Sequence, residues 1–294
     1  MTNPSPLEPI ADLIRNGGVA AFPTETVYGL GASVWDEAAV REVFRLKGRP
    51  DDNPLIVHVA NFPQLRQLAL DITAPSRLLI QKFWPGPLTL VFRKRAGIPD
   101  VVTAGLNTVA VRMPRHALAL ELIRRAGPLV GPSANRSGWP SPTTAAHVRQ
   151  DFGTNIPILD GGASDIGLES TVLDVTEVPY RILRPGMVTA SLIKESTGLY
   201  VESAVNEEDL IRSPGNKHAH YAPNARVTWL DGEPDPATHV IRHGQDLVAL
   251  AARLYAEFRA ADEIGATSVA IERIDEAHPL AHVLLNRIVK AMGV

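Results

Sequence analysis

The sequence predicts an α/β protein: a large domain on a mixed, twisted sheet over residues 1–198, a linker over 199–224, and a small α/β unit over 225–294. Three observations carry this. Apolar strand-like runs and helical periodicities mix along the first two thirds without strict βα alternation. Polar loops rich in Gly, Pro, Ser, Thr, Asn and Arg lie beside those runs, where α/β folds keep their ligands. Residues 198–224 are poor in apolar side chains, and a second strand–helix–strand–helix pattern follows them.

In order, Ser5-x-x-Glu8 is a capping box opening a helix over 9–16 that Gly17-Gly18 stops, and 19–22 reads as a buried strand. A polar loop over 23–31 follows, then a helix over 37–47 with Val40, Val43, Phe44 and Leu46 at helical spacing. The loop Lys47-Gly-Arg-Pro-Asp-Asp-Asn-Pro54 precedes a strand over 55–59. A helix over 75–83 turns at Trp84-Pro-Gly-Pro87 into a strand over 88–92, and a strand over 108–113 runs into a helix over 117–126. After the apolar run 127–130 comes Gly131-Pro-Ser-Ala-Asn-Arg-Ser-Gly-Trp-Pro-Ser-Pro-Thr-Thr144, which cannot form a core and is suited to hold hydroxyls and an amide at a strand end. A helical segment over 145–150, a loop over 160–167, strands over 171–175 and 181–183, a loop over 184–187 and a helix over 189–196 complete the large domain. Beyond the linker, 227–230 and 267–271 read as strands. Leu247, Leu250, Leu254 and Phe258 line one helix, and 281–292 forms another.

Composition narrows the function. The 294 residues are 45% hydrophobic, so a sizeable core is available, and no run of about 18 apolar residues offers a membrane span. The first residues lack the pattern of a secretory signal, and the absence of cysteine removes disulfides and thiolate chemistry; a cytoplasmic protein is the expectation. A net charge of −3 means that any nucleic-acid contact must come from a local patch. Walker A is absent, and Gly29-Leu-Gly31 lacks the third glycine of a dinucleotide loop, with Val34 in its place. Gly131-Pro-Ser133-Ala-Asn135 misses a nucleophile elbow because Asn135 replaces the second glycine. His218-Ala-His220 has no nearby third ligand, so no protein metal site is expected. Lys47, Arg49, Arg112 and Arg184, set beside Ser, Thr and Asn, suit an anionic ligand of the nucleotide class; each alone also fits a surface charge. His58, inside a strand, equally suits a core histidine.

Several motifs, in this order, resemble the Sua5/YrdC family: Pro23-Thr-Glu-Thr-Val-Tyr-Gly-Leu, Lys47-x-Arg49-Pro with Asn53-Pro-Leu, Trp84-Pro-Gly-Pro-Leu-Thr89, Val111-Arg-Met-Pro114, Pro132-Ser-Ala-Asn135, Glu169-Ser-Thr171 and Arg184-Pro-Gly186. The linker and the small last domain resemble the longer Sua5 branch, and the resemblance covers nearly the whole chain. It implies a YrdC-like sheet domain followed by a small, shortened, Rossmann-like C-terminal domain. It also implies an enzyme that combines L-threonine, bicarbonate or CO2 and ATP into L-threonylcarbamoyl-adenylate and pyrophosphate, with Mg2+ on the phosphates. The product would pass to the machinery that threonylcarbamoylates adenosine 37 of tRNA. By the same resemblance Thr26, His58, Arg112, Ser133 and Ser170 would surround the threonine and its carbamate. Arg49, Asn53, Thr108, Asn135, Thr143, Arg184 and Tyr221 would contact ATP, and Lys47, facing the phosphates, and Arg49 are read as catalytic. Tyr221, with Lys217 and His220, would close the linker over the nucleotide as a lid, although Asn216, His218 and Ala219 replace the Met, Tyr and Arg usual in that motif. The rival reading is an RNA-binding module of the same fold without synthase activity. Its weakness is an aromatic content of only 5% with no interleaved Lys/Arg, which leaves room for weak RNA contact at most.

Overall fold

A glycine-rich strand begins the sheet. α1 (Leu7–Arg15) leads into β1 (Ala20–Phe22), which pairs antiparallel with β2 (Gly29–Ser33). The expected loop over 23–31 therefore ends in a strand. Gly-Leu-Gly-Ala-Ser carries none of the β-branched or aromatic residues that mark strands, but the Phe22 ring requires its glycines: a Cβ at Gly29 or Gly31 would stand at or under 3.0 Å from it. The computed structural model describes residues 7–203 and 221–293. Ser5, and the expected lid residues Lys217 and His220, lie outside the described residues.

α2 (Glu37–Lys47) has the predicted bounds because both ends are capped. The Asp36 side chain accepts from the Ala39 amide at 3.0 Å, and Gly48 ends the helix in the left-handed region with φ 61°. Asp36→Ala is expected to lower stability by about 1 kcal/mol, read as a shifted denaturation midpoint at unchanged slope. α2 delivers Lys47 and, just past its cap, Arg49.

The chain continues through β3 (Ile56–His58), α3 (Phe62–Leu68), α4 (Ala74–Phe83), β4 (Leu88–Arg93), α5 (Asp100–Thr103), β5 (Thr108–Arg112), α6 (Ala117–Ala126), β6 (Leu129–Val130), α7 (Ala145–Phe152), β7 (Thr171–Asp174), β8 (Tyr180–Arg184), α8 (Ala190–Thr197) and β9 (Val201–Ser203). Three of these were not expected. α3 is a short helix capped by Asn61, whose side chain accepts from the Gln64 amide, with Pro63 in its first turn. α5 is a single turn, too short for periodicity to reveal. β9 pairs parallel with β8, so the large sheet takes in residues beyond the boundary drawn at 198.

The nine strands run in the order β1-β2-β6-β3-β5-β4-β7-β8-β9, with parallel and antiparallel pairs mixed. One register row fixes the site. His58 of β3 pairs with Arg112 of β5, Arg112 with Thr89 of β4, Thr89 with Val172 of β7, and Val172 with Arg184 of β8. Residues directly opposite on neighbouring strands share a face. Polar side chains from separate parts of the chain are thereby aligned, and strand alternation adds Ser170 to the same face as Val172.

The C-terminal unit comprises β10 (Arg226–Trp229), β11 (Thr238–Ile241), α9 (Leu247–Glu263), β12 (Ser268–Ile271) and α10 (Ala281–Met292). Its three strands are parallel in the order β10-β12-β11, and β11 is one strand more than expected. Val227, Ile241, Leu250, Leu254, Phe258, Val269 and Leu284 belong to its core. The two units touch closely. At Gly167, φ 74°, a Cβ would stand 2.5 Å from the Ala251 and Ala252 carbonyls of α9, so only glycine allows this approach. Among the described residues no helix is long and apolar enough to cross a membrane.

Candidate functional site

The row of polar side chains opens on a cleft of about 740 Å3, counted out to its mouth, and loops from both halves of the large domain complete it. Of the residues expected to act, Thr26, Lys47, Arg49, His58, Arg112, Ser133, Asn135, Ser170, Arg184 and Tyr221 line it. Asn53 is fully buried beside it, and its carbonyl accepts from Arg49. Thr143 is buried behind the central loop, where its amide donates to His147 Nδ1 at 3.2 Å. Thr108 opens β5, four residues along the strand from Arg112 and paired with Arg93; by strand rise it lies about 13 Å from that arginine.

The central loop begins as a continuation of β6, between β2 and β3 inside the sheet, rather than as a free loop. Leu30 N donates to the Pro132 carbonyl, Ala134 N to the Tyr28 carbonyl and Gly131 N to the Ile56 carbonyl, so 131–134 is held from both sides. Lys47 completes the hold: its ammonium donates to the Ser133 carbonyl at 2.5 Å and the Asn135 carbonyl at 2.7 Å. Burial, with Arg49 beside it, pushes the Lys47 ammonium well below the ordinary lysine range. The expectation that Lys47 faces phosphates is thus joined by a second task, shaping the loop that carries Ser133 and Asn135.

Arg112 is the most constrained cation. Its Nε donates to the Gly86 carbonyl at 3.1 Å, its Nη1 donates to Thr26 Oγ1 at 2.8 Å, and its Nη2 pairs with Glu25 Oε2 at 2.6 Å. That ion pair lies off hydrogen-bond alignment, because neither atom has an aligned partner among the described residues. Thr26 is in turn fixed by Thr24, whose hydroxyl lies 2.8 Å from that of Thr26 and donates to the Val27 carbonyl. Arg184 donates from Nε and Nη2 to the Ser170 carbonyl at 3.1 and 2.9 Å, and from Nη2 to Ser170 Oγ at 3.2 Å. Ser170 Oγ also meets Thr89 Oγ1 at 2.8 Å. Burial lowers the Arg184 guanidinium, and burial holds Arg49 down to about 10; both stay cationic at neutral pH.

The cleft therefore carries four cations, Lys47, Arg49, Arg112 and Arg184, against one lining carboxylate, Glu169. Polar atoms there also lack hydrogen-bond partners among the described residues: Arg49 Nε, His58 Nδ1 and Asn135 Oδ1. Buried polar atoms are nearly always partnered in native proteins, so a cluster of orphans around excess positive charge points to an anionic, hydrogen-bonding ligand. Glu169, with Ser141, was not assigned a role from sequence. Burial raises its carboxyl, but Arg287 and Arg184 with the Ser141 hydroxyl outweigh this and hold it below the usual range.

His58 is both a core residue and a cleft residue. Its ring meets Phe22 edge-on at 5.5 Å, and burial, with Arg112 nearby, depresses it well below the ordinary histidine value. His147 is likewise depressed by burial, to about 4. Both are neutral when folded and take up protons on unfolding, so stability should be full above the unfolded value near 6.5 and fall as pH drops below it. Thermal melts at pH about 7.5 and about 5 check this, and His147→Gln should shrink the difference.

Known proteins resemble this chain over nearly its whole length. Residues 12–186 match the Sua5–YciO–YrdC family, described as "Telomere recombination", and residues 187–293 match "Threonylcarbamoyl-AMP synthase, C-terminal domain". The threonylcarbamoyl-AMP synthase of Pyrococcus abyssi is 42% identical over 96% of this chain and 93% of its own length. That of Bacillus subtilis is 45% identical over 83% of this chain and 72% of its own length. The crystal structure of P. abyssi Sua5 complexed with L-threonine superposes with a TM-score of 0.89 at 40% identity, covering 98% of this chain and 94% of that one.

Proposed function

The chain belongs to the Sua5/YrdC family, and from that membership we propose that its cleft is the active site of a threonylcarbamoyl-AMP synthase. L-Threonine, bicarbonate and ATP combine to give L-threonylcarbamoyl-adenylate, pyrophosphate and water. Bicarbonate takes up a proton and loses water to give CO2, and the unprotonated threonine amine adds to CO2 and releases a proton to leave a carbamate. One carbamate oxygen then attacks the α-phosphorus, and the bond from the α-phosphorus to the bridging oxygen breaks as pyrophosphate leaves. The observation that supports this best is four basic side chains against one lining carboxylate, in a cleft where Arg49 Nε, His58 Nδ1 and Asn135 Oδ1 lack partners among the described residues. Carboxylate, carbamate and triphosphate are all anions, and holding them together requires such a field.

Residue roles follow from position. Arg112 suits the threonine carboxylate by its place in the middle of the sheet-face row, beside His58 and bonded to Thr26. Thr26, His58, Ser133 and Ser170 surround it on the same face. Arg49, Arg184 and Asn135 suit the triphosphate, and Tyr221 the nucleotide's open side, while Asn53, Thr108 and Thr143 contribute from farther off. The attacking carbamate oxygen is already anionic, so the attack on phosphorus requires no general base; the residues contribute to that step by positioning and charge stabilisation. Among the described residues no three His, Asp or Glu side chains gather as a metal site, and Glu169 is engaged by Ser141 and Arg287. Mg2+ is proposed only as an ion carried by the phosphates, and no step is routed through it. The product, a reactive acyl-adenylate, suits transfer to tRNA by a separate enzyme, and a cytoplasmic place accords with the absence of cysteine.

The test is pyrophosphate release from ATP with threonine and bicarbonate each omitted in turn, with and without chelator. Release that requires both co-substrates is expected. Folded protein whose release ignores threonine would sink the synthase reading and favour the RNA-binding one.

A further inference from the structure

The C-terminal unit reaches the cleft through buried side chains. Arg287 of α10 has no exposed surface; its Nε donates to Glu169 Oε2 at 3.0 Å and its Nη2 to the Pro185 carbonyl at 3.0 Å. The Tyr255 hydroxyl, from α9, donates to the same Oε2 at 2.9 Å, and Ser141 Oγ donates to Oε1 at 2.6 Å. Tyr221 stacks on Tyr255 with ring centroids 5.3 Å apart and lies under the Arg287 guanidinium, 5.3 Å from its carbon. Ser141, Glu169 and Tyr221 line the cleft, whereas Arg287 and Tyr255 stand behind them.

A cation that only joined two units would have no reason to end on cleft residues. Arg259 illustrates that simpler case. It grips Asp151 of α7 at 2.8 and 2.9 Å and the Pro140 carbonyl at 2.6 Å, and none of these lines the cleft. The two bonds that Arg287 makes to the large domain instead fall on Glu169, which precedes Ser170, and on Pro185, which follows Arg184. Arg184 and Ser170 are themselves bonded to each other. One guanidinium thus fixes both sides of that contact, and its face fixes the Tyr221 ring.

We propose that Arg287, supplied by the C-terminal unit, is a positioning residue of the cleft: it sets Ser170 and Arg184 through Glu169 and Pro185, and it seats Tyr221. The proposal rests on the synthase reading of the cleft, but its test does not depend on activity alone. In full-length Arg287→Met, amide exchange over residues 168–171 should accelerate while β4, next to them in the sheet, keeps its protection. Arg259→Met should leave exchange over 168–171 unchanged. In kinetics, Arg287→Met should lower kcat/KM for threonine about a hundredfold in protein that still melts cooperatively, the scale expected when reacting groups are misplaced by an ångström. Arg287→Lys, which keeps the charge and loses the fork, should recover part of the loss. Combined with Glu169→Gln, the Met variant should lose little more than either single change, because both break one connection. Unchanged exchange over 168–171, or fully additive losses, would overturn the proposal. Should Arg287→Met not fold, Arg287→Lys carries the same two measurements. Wild-type protein without threonine-dependent pyrophosphate release would defeat the synthase reading, and the exchange comparison would still decide the place of Arg287.

Discussion

Replacing Arg112 by alanine should abolish threonine-dependent pyrophosphate release, even at saturating ATP. Arg112 stands mid-row on the sheet face, between His58 and Thr89, and one guanidinium reaches the Gly86 carbonyl, Thr26 Oγ1 and Glu25. Arg112 ties the sheet face to the loop that carries Thr26. Its loss would remove the partner proposed for the amino acid's carboxylate and free Thr26 at once, so about a thousandfold or more in kcat/KM is expected. Stability should fall as well, since Glu25 is left buried without its counter-charge, a defect that costs about 3–5 kcal/mol. Arg112→Lys separates the two effects. It preserves the charge beside Glu25, so the fold should largely recover, while the planar fork is gone and activity should remain low. Substantial turnover in a folded Arg112→Ala variant would remove Arg112 from its assigned place.

How much of this was legible before the structure depends on where each signal resides. α2 was readable to the residue because its stops are local: an Asp cap at one end, a glycine in the left-handed region at the other. β2 was not, because its strand status comes from the Phe22 ring lying across two glycines, a tertiary fact. The cleft was largely legible, since Thr26, Arg49, Ser133, Asn135 and Ser170 sit on loops whose composition rules out a core role, Lys47, Arg112 and Arg184 end the elements beside such loops, and the family resemblance ordered them. What stayed hidden was the supporting layer. Tyr255, Arg259 and Arg287 occur on helices whose apolar spacing gives ordinary amphipathic faces, and nothing in one sequence tells a buried arginine from a solvated one. Glu25 and Glu169 lay within quoted motifs, yet their duty, to pair with Arg112 and with Arg287, appears only when the register row and the second unit are in place.

Gly186→Ala should be among the most damaging changes of a single methyl group. The segment 184–188 lies directly against Ser170 and Thr171: Arg184 Nε donates to the Ser170 carbonyl, and Thr171 Oγ1 and the Val188 backbone exchange bonds at 2.9 and 3.1 Å. A Cβ at Gly186 would fall under 3.0 Å from the Thr171 amide and the Ser170 carbonyl carbon. Those are backbone atoms of a strand paired on both sides, so they cannot rotate away as a side-chain tip could. The contact must open, and with it the hold of Arg184 on Ser170. Overpacking of this kind costs about 1–3 kcal/mol in stability, and displacing two substrate-facing groups should cost about a hundredfold in kcat/KM. Gly198→Ala provides the contrast. Its φ of 73° also disfavours alanine, but nothing lies within 4 Å of the new methyl, so stability should drop while activity holds. If both variants kept full activity, close packing of 184–188 on Ser170 would not be what orders the cleft. If Gly186→Ala alone lost it, the Arg-Pro-Gly turn acts by letting two backbones approach where no side chain fits.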